Sequence, residues 1–180
     1  MELTLVYKGD LKANGSVEHK QEIRRAIHKQ LKEWWKQTPF NDLKHPSESL
    51  TKQVAGFRFF PLVTEARREV AELYLTMLRP EPPGCIISQG GDIDNRLKTL
   101  LDALRMPKVT TEIPGNDVPN ADEVPFFCLL EDDKLITKLS VSTDQLLEPC
   151  LQNSVCLLLI HVQIRCIELI GGSMIPVLSF

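Results

Sequence analysis

The sequence lacks most of the features that would place it quickly. No two of its five cysteines stand as a C-x-x-C pair, which argues against a zinc knuckle, and their odd number argues against a closed disulfide framework. Cys85, Cys128, Cys150, Cys156 and Cys166 are therefore expected to be buried thiols in a reducing compartment. The opening residues, MELTLVYKGD, carry no basic stretch followed by an apolar core and a small-residue cleavage site, so a cytoplasmic location is the expectation. The strongest apolar run, VCLLLIHVQIRCIELI at 155–170, is broken by His161, Gln163, Arg165 and Glu168. It is too short and too polar to cross a bilayer and reads as a core strand, with no membrane partner expected. There is no G-x-S-x-G elbow, H-E-x-x-H pair, phosphate-binding P-loop or G-x-G-x-x-G turn. His19, His28, His45 and His161 show no ligand spacing, and no internal repeat is visible.

What is present is an ordinary globular composition, 43% apolar and 25% charged over 180 residues, enough for a single domain with a real core. A net charge of −3 argues against a protein that coats nucleic acid generally. The charge is strongly segregated, however. Lys20, Arg24, Arg25, Lys29, Lys32 and Lys36 face only Glu22 and Glu33 between positions 20 and 36, a local +4. Glu112, Asp117, Asp122, Glu123, Glu131, Asp132 and Asp133 lie in a stretch with no base, a local −7.

Residues 2–8 alternate as a strand, and GDLKANGS supplies turn residues after it. Over 17–37, Ile23, Ile27, Leu31 and Trp34 or Trp35 recur at helical spacing, with Pro39 as the stop. The opposite stripe, Arg25, Lys29, Lys32 and Lys36, reads either as a solvated face or as a surface for phosphates. FRFFPLVT and AELYLTMLRP read as strands, and Leu97, Leu100, Leu101 and Leu104 make one face of a helix that starts at Asp92 or Asp94 and stops at Pro107. Prolines, Gly115 and asparagines predict an irregular acidic loop over 106–125. FFCLLEDDKLITKLSVS then reads as one strand with Leu135, Thr137, Leu139 and Val141 on one side, and 155–169 as the last strand. The tail 171–180 starts with two glycines and is expected to pack against a partner or to fray.

The stretch GDIDNRLKTLLDAL poses the chemical question. Asp92 and Asp94 project side by side if Asp92 is still extended and Asp94 is at or near the helix N-cap. Two carboxylates that close repel unless a cation or strong donors compensate, and the helix dipole supplies only about 0.3–1 kcal/mol. Magnesium takes oxygen ligands in octahedral geometry from a few carboxylates, waters and substrate phosphates. The pair, together with the EDD cluster at 131–133, meets that need, and Lys98 adds a positive charge able to steady a phosphate. Helix capping plus surface acid explains the same residues without a metal. An EF-hand does not, because Arg96 and Leu97 occupy positions that need an oxygen ligand and the turn glycine.

DIDNRLKTLLDAL followed by EDDKLITKLSV resembles the RusA-type Holliday junction resolvases, whose pattern is roughly D-x-D-N-x-x-K-x-x-x-D-A-L and then a pair of aspartates leading into a strand. The matching positions are Asp92, Asp94, Asn95, Lys98, Asp102, Ala103 and Leu104, with Asp132 and Asp133 as the pair. The motif-level similarity covers about residues 70–142. The resemblance implies an α+β fold, a small mixed sheet packed with two main helices, in a single domain over 1–180. It also implies a homodimer that cuts four-way DNA junctions with magnesium, or manganese as a substitute, in DNA recombination and repair. Asp92, Asp94 and Asp133 would hold the metal, with Asp132 able to exchange roles with Asp133, and Lys98 would act at the scissile phosphate. Arg25, Lys29, Lys32 and Lys36 would supply positive surface for branched DNA. The competing expectation is a non-catalytic module whose acidic loop contacts a basic protein, the aspartates serving only to cap and solubilise.

Overall fold

Alternation along the strands decides the larger sheet. In the computed structural model, which describes residues 1–37, 50–82, 93–147, 155–170 and 173–177, β7 (Val155–Ile170) buries Cys156, Leu158, Ile160, Val162 and Ile164. On either side of it, β1 (Glu2–Asp10) buries Leu3, Leu5 and Tyr7, and β4 (Glu69–Arg79) buries Ala71, Leu73, Leu75 and Met77. Period-two burial of this kind puts one face of each strand on a core and leaves the other open. The order is β1-β7-β4-β6, with β6 (Ile136–Gln145) parallel to β4 and the other neighbours antiparallel. In the tail, β8 (Ser173–Val177) pairs with β7 from Cys166 to Ile170.

A second sheet was not anticipated. β2 (Lys52–Val54) and β3 (Phe57–Val63) form a hairpin through Ala55 and Gly56, both at positive φ, as a two-residue turn requires. β5 (Phe126–Leu130) then runs parallel to β3. The expected single strand over 126–142 is thus two strands in two sheets. The reason lies in EDD. Asp132 accepts a hydrogen bond from the Lys134 backbone N–H at 3.0 Å and caps a 3-10 turn over Asp133–Leu135, so the chain leaves the small sheet and enters the large one at its acidic residues. The α+β reading with mixed sheet and two helices holds, with the sheet divided.

Two α-helices among the described residues pack into the core with these strands. Ser16 caps α1 (Val17–Trp35) by accepting from the His19 backbone N–H. The helix inserts Ile23, Ile27 and Leu31 into the same core as Leu100, Ala103 and Leu104 of α2 (Ile93–Leu104) and the inner residues of β4 and β7. A smaller apolar cluster of Phe57, Phe59, Phe126 and Cys128 is covered by Met106 and Ile113, so the loop after α2 is anchored by apolar burial. Two thiols behave as expected. Cys128 and Cys156 are buried, and burial pushes them up to about 12 and about 11. Cys166 is exposed, while Cys85 and Cys150 lie outside the described residues.

His28 joins the helix to the small sheet. Its Nδ1 accepts the Phe127 backbone N–H at 2.8 Å and its ring stacks 4.4 Å from Phe126. Burial holds the imidazole below its ordinary value of 6.5, so the folded state keeps it neutral while the unfolded chain protonates. Stability from this group is complete above pH 6.5 and is lost as the pH falls below it, by at most about 1.4 kcal/mol per pH unit. Chemical denaturation between pH 7 and pH 5 is expected to show this slope, and His28→Asn to flatten it. An equal slope in both proteins would exclude His28 as its source.

Candidate functional site

The start of α2 is tied to the loop between β1 and α1. Arg96 donates through Nη1 to the Leu11 carbonyl, and the Gly15 backbone N–H donates to Thr99 Oγ1 at 2.9 Å. With Arg96, Thr99, Leu100, Ala103 and Leu104 turned inward, helical periodicity turns Asp94 and Lys98 out into solvent. α2 begins at Ile93, so Asp94 lies inside the first turn and its carboxylate accepts the Asn95 backbone N–H at 2.8 Å. Neither Asp94 nor Lys98 makes an ion pair with another described residue. Asp92 lies outside the described residues.

Asp102, on the same predicted polar stripe, is turned toward α1, where Lys20 Nζ reaches it at 2.7 Å and Arg105 at 3.4 Å. The acidic cluster is also held from within. Lys52 pairs with Glu131, and Lys108 Nζ lies 2.8 Å from Asp132 and 3.7 Å from Asp133. Burial pushes the Asp132 carboxyl up, but hydrogen bonds from Lys108 and the Lys134 backbone N–H outweigh it and hold it well below the ordinary carboxylate range.

One chain does not bring Asp94 and Asp133 together. The turn that contains Asp133 enters β6 at Ile136, which pairs with Ala71 near the start of β4. The first turn of α2 is at the other end, where Arg96 donates to the Leu11 carbonyl just past β1, whose Asp10 pairs with Val155, two residues from the Leu157 that pairs with Leu78 of β4. Ala71 and Arg79 are eight residues apart, about 26 Å in a strand. α2 covers much of that distance, twelve residues or about 17 Å, before Met106 bonds back to the Leu130 carbonyl. Consistently, no group of three His, Cys, Asp or Glu side chains able to hold a metal occurs among the described residues.

The two charge poles, separate in sequence, meet in space. Arg25 donates to Glu123 at 2.8 Å and to Asp117 at 2.8 Å, and also to the Val118 carbonyl. Lys32 donates to the Asp122 carbonyl, and Lys36 pairs with Glu33 on its own helix. Of the basic stripe, Lys29 is exposed and makes no such contact among the described residues. The acidic loop is therefore folded onto the basic helix. Sequence reading also passed over a buried set: Lys20 and Arg24 of α1 meet Asp102, Arg105 and Glu112 around a cavity. The i, i+4 spacing of Lys20 and Arg24 puts them on one face, but nothing in a row of bases marks which one is buried.

Comparisons with family models, with curated proteins and with solved structures find no match to this chain.

Proposed function

We propose that this protein is a magnesium-dependent, structure-selective endonuclease that hydrolyses phosphodiester bonds in branched DNA, acting as a homodimer. The observation that carries the reading is the state of Asp94 and Lys98. The loop acids Glu112, Asp117, Glu123, Glu131 and Asp132 are matched to cations of the same chain. Asp94 and Lys98 are exposed, one helical turn apart, and unmatched among the described residues, and Asp94 follows Asp92 by two positions in the sequence. That is the disposition a D-x-D metal site with a phosphate-facing lysine needs. Asp133 would complete it from the partner subunit, since the described carboxylates of one chain do not fit a three-ligand site.

In this reading Asp92, Asp94 and the partner subunit's Asp133 would hold the metal, and Lys98 would neutralise charge on the phosphoryl oxygens. The metal would lower the pKa of the water and polarise the phosphoryl group, with manganese able to replace magnesium. The competing reading, a module whose acidic loop docks on a basic protein, has less support because that loop already has its basic partner in α1.

The test is cleavage of a labelled four-way junction beside a linear duplex and a single strand, with magnesium or chelator. Paired nicks in the junction strands are expected with magnesium only. Asp94→Asn should reduce them by about a hundredfold or more, given that even residues supporting a metal ligand are worth about 10–100-fold. Undiminished cutting by Asp94→Asn, or in chelator, would refute the proposal.

A further inference from the structure

Five charged side chains surround a cavity between the start of α1 and the end of α2: Lys20, Arg24, Asp102, Arg105 and Glu112, with Val17 forming part of the wall. It has room for about 60 Å³, enough for several waters or one tetrahedral oxyanion. The charges do not balance. Asp102 takes Lys20 at 2.7 Å, and Glu112 holds Arg105 through both terminal nitrogens, at 2.9 and 3.0 Å. That accounts for both carboxylates and leaves Arg24.

Arg24 is 2% exposed and its partners are neutral. Nη1 donates to Gln21 Oε1 at 2.6 Å and Nη2 to the Asp102 backbone carbonyl at 3.0 Å. Among the described residues its Nε has no hydrogen-bond partner, and neither does Nε of Arg105, itself 8% exposed. A buried cation without a counter-ion is strongly unfavourable, and arginine does not escape by losing its proton. The first turn of α1, which begins at Val17, adds the positive end of a 19-residue helix.

We propose that this cavity binds a phosphate group. Its excess charge of +1, from three cations and two carboxylates, matches a singly charged phosphate. The guanidinium groups of Arg24 and Arg105 and the Lys20 ammonium line the cavity and are donors of the kind that recognise its oxygens. The repulsion expected from Asp102 and Glu112 is cancelled by their own ion pairs. A larger cleft of about 500 Å³, lined by Thr111, Ile113 and Pro114 and also by Glu18 and by Asp117, which Arg25 pairs, shares the Val17 wall, so a molecule that carries the phosphate has space beside it. The phosphate would come from a free anion or small phosphomonoester, or from the backbone of a nucleic acid.

The experiment is thermal unfolding of the full chain at constant ionic strength, with inorganic phosphate, adenosine 5′-monophosphate or a short DNA duplex as the ligand and sodium chloride as the reference. Binding to the native state raises the melting temperature in a saturable way. Lys20→Ala and Arg24→Met are expected to reduce the apparent affinity at least tenfold, and Lys138→Ala, exposed on β6 at the outer edge of the large sheet, to leave it unchanged. A variant-sensitive shift with either small ligand identifies a free phosphate or phosphomonoester, and one with duplex alone identifies a backbone phosphate. No shift with any ligand, or equal shifts in wild type and Lys20→Ala, overturns the proposal. Lys20 is partly exposed at the rim, so that variant carries the test if Arg24→Met does not fold.

Discussion

A mixture of Asp94→Asn and Asp133→Asn chains is expected to regain magnesium-dependent junction cutting that neither variant shows alone. The expectation follows from the placement of the two residues toward opposite ends of β4, a separation that no side-chain rotation closes. If each active site takes Asp92 and Asp94 from one subunit and Asp133 from the other, a mixed dimer holds one site with both substitutions and one with neither. Random exchange makes about half of the dimers mixed, and half of their sites intact, so about a quarter of the wild-type sites return. Each mixed dimer would make single nicks, since its second site is dead. If both sites were built within one chain, the mixture would stay as inactive as its parts. The rate of nicking after co-refolding, against each variant refolded alone, decides between the two.

Arg25→Ala is expected to lower stability by about 2–3 kcal/mol at neutral pH, below the 3–5 typical of a broken buried pair because Arg25 is partly open to solvent. Glu123 is 3% exposed, and Arg25 holds it together with the Asn120 backbone N–H. Burial pushes the Glu123 carboxyl up, but the hydrogen bond from Arg25, with that from the Asn120 backbone, keeps it below its ordinary 4.5. In the wild type this contribution is present above pH 4.5 and is lost as the pH falls. In the variant the burial effect is no longer offset by Arg25, so the folded-state value rises and protonation relieves the strain. The difference between the two proteins should therefore be largest near pH 7 and shrink toward pH 4. Urea midpoints at the two pH values measure it, and hydrogen exchange should report lost protection over 113–123. A pH-independent difference would show that Arg25 acts through packing, including its approach to the Phe57 ring at 6.0 Å.

Much of this architecture could be read from one-dimensional patterns, and the misses have a common origin. Period-two alternation located β1, β4 and β7, and the spacing of Ile23, Ile27 and Leu31 located α1, because burial on one face leaves a regular trace. The D-x-D helix starts one residue from Asp92 for the same reason. What left no trace was pairing between distant segments. Charge signs showed a basic helix and an acidic loop, yet not that Arg25 would choose Asp117 and Glu123 across more than ninety residues. FFCLL and LITKLSV are equally good strands, so only the Asp132 cap tells that they belong to different sheets. The motif places Asp94 and Asp133 in one pattern, and pattern says nothing of the strand length that separates them. Arg24 and Lys29 look alike in a row of bases, and only tertiary packing buries the first.

The position of β7 also sets an order in time. It lies between β1 and β4, its residues 155–163 paired with β1 and 157–166 with β4, so β1 has no neighbour in the large sheet until β7, about 150 residues later, emerges. A nascent chain that stops short of Val155 can close the β2–β3 hairpin and lay β5 beside it, but β1 and the β4–β6 pair have nothing to join them. Such long loop closures are entropically slow. The apolar faces of β1 and β4 stay open until β7 is made, so chains cut within β7 are the ones most exposed to aggregation.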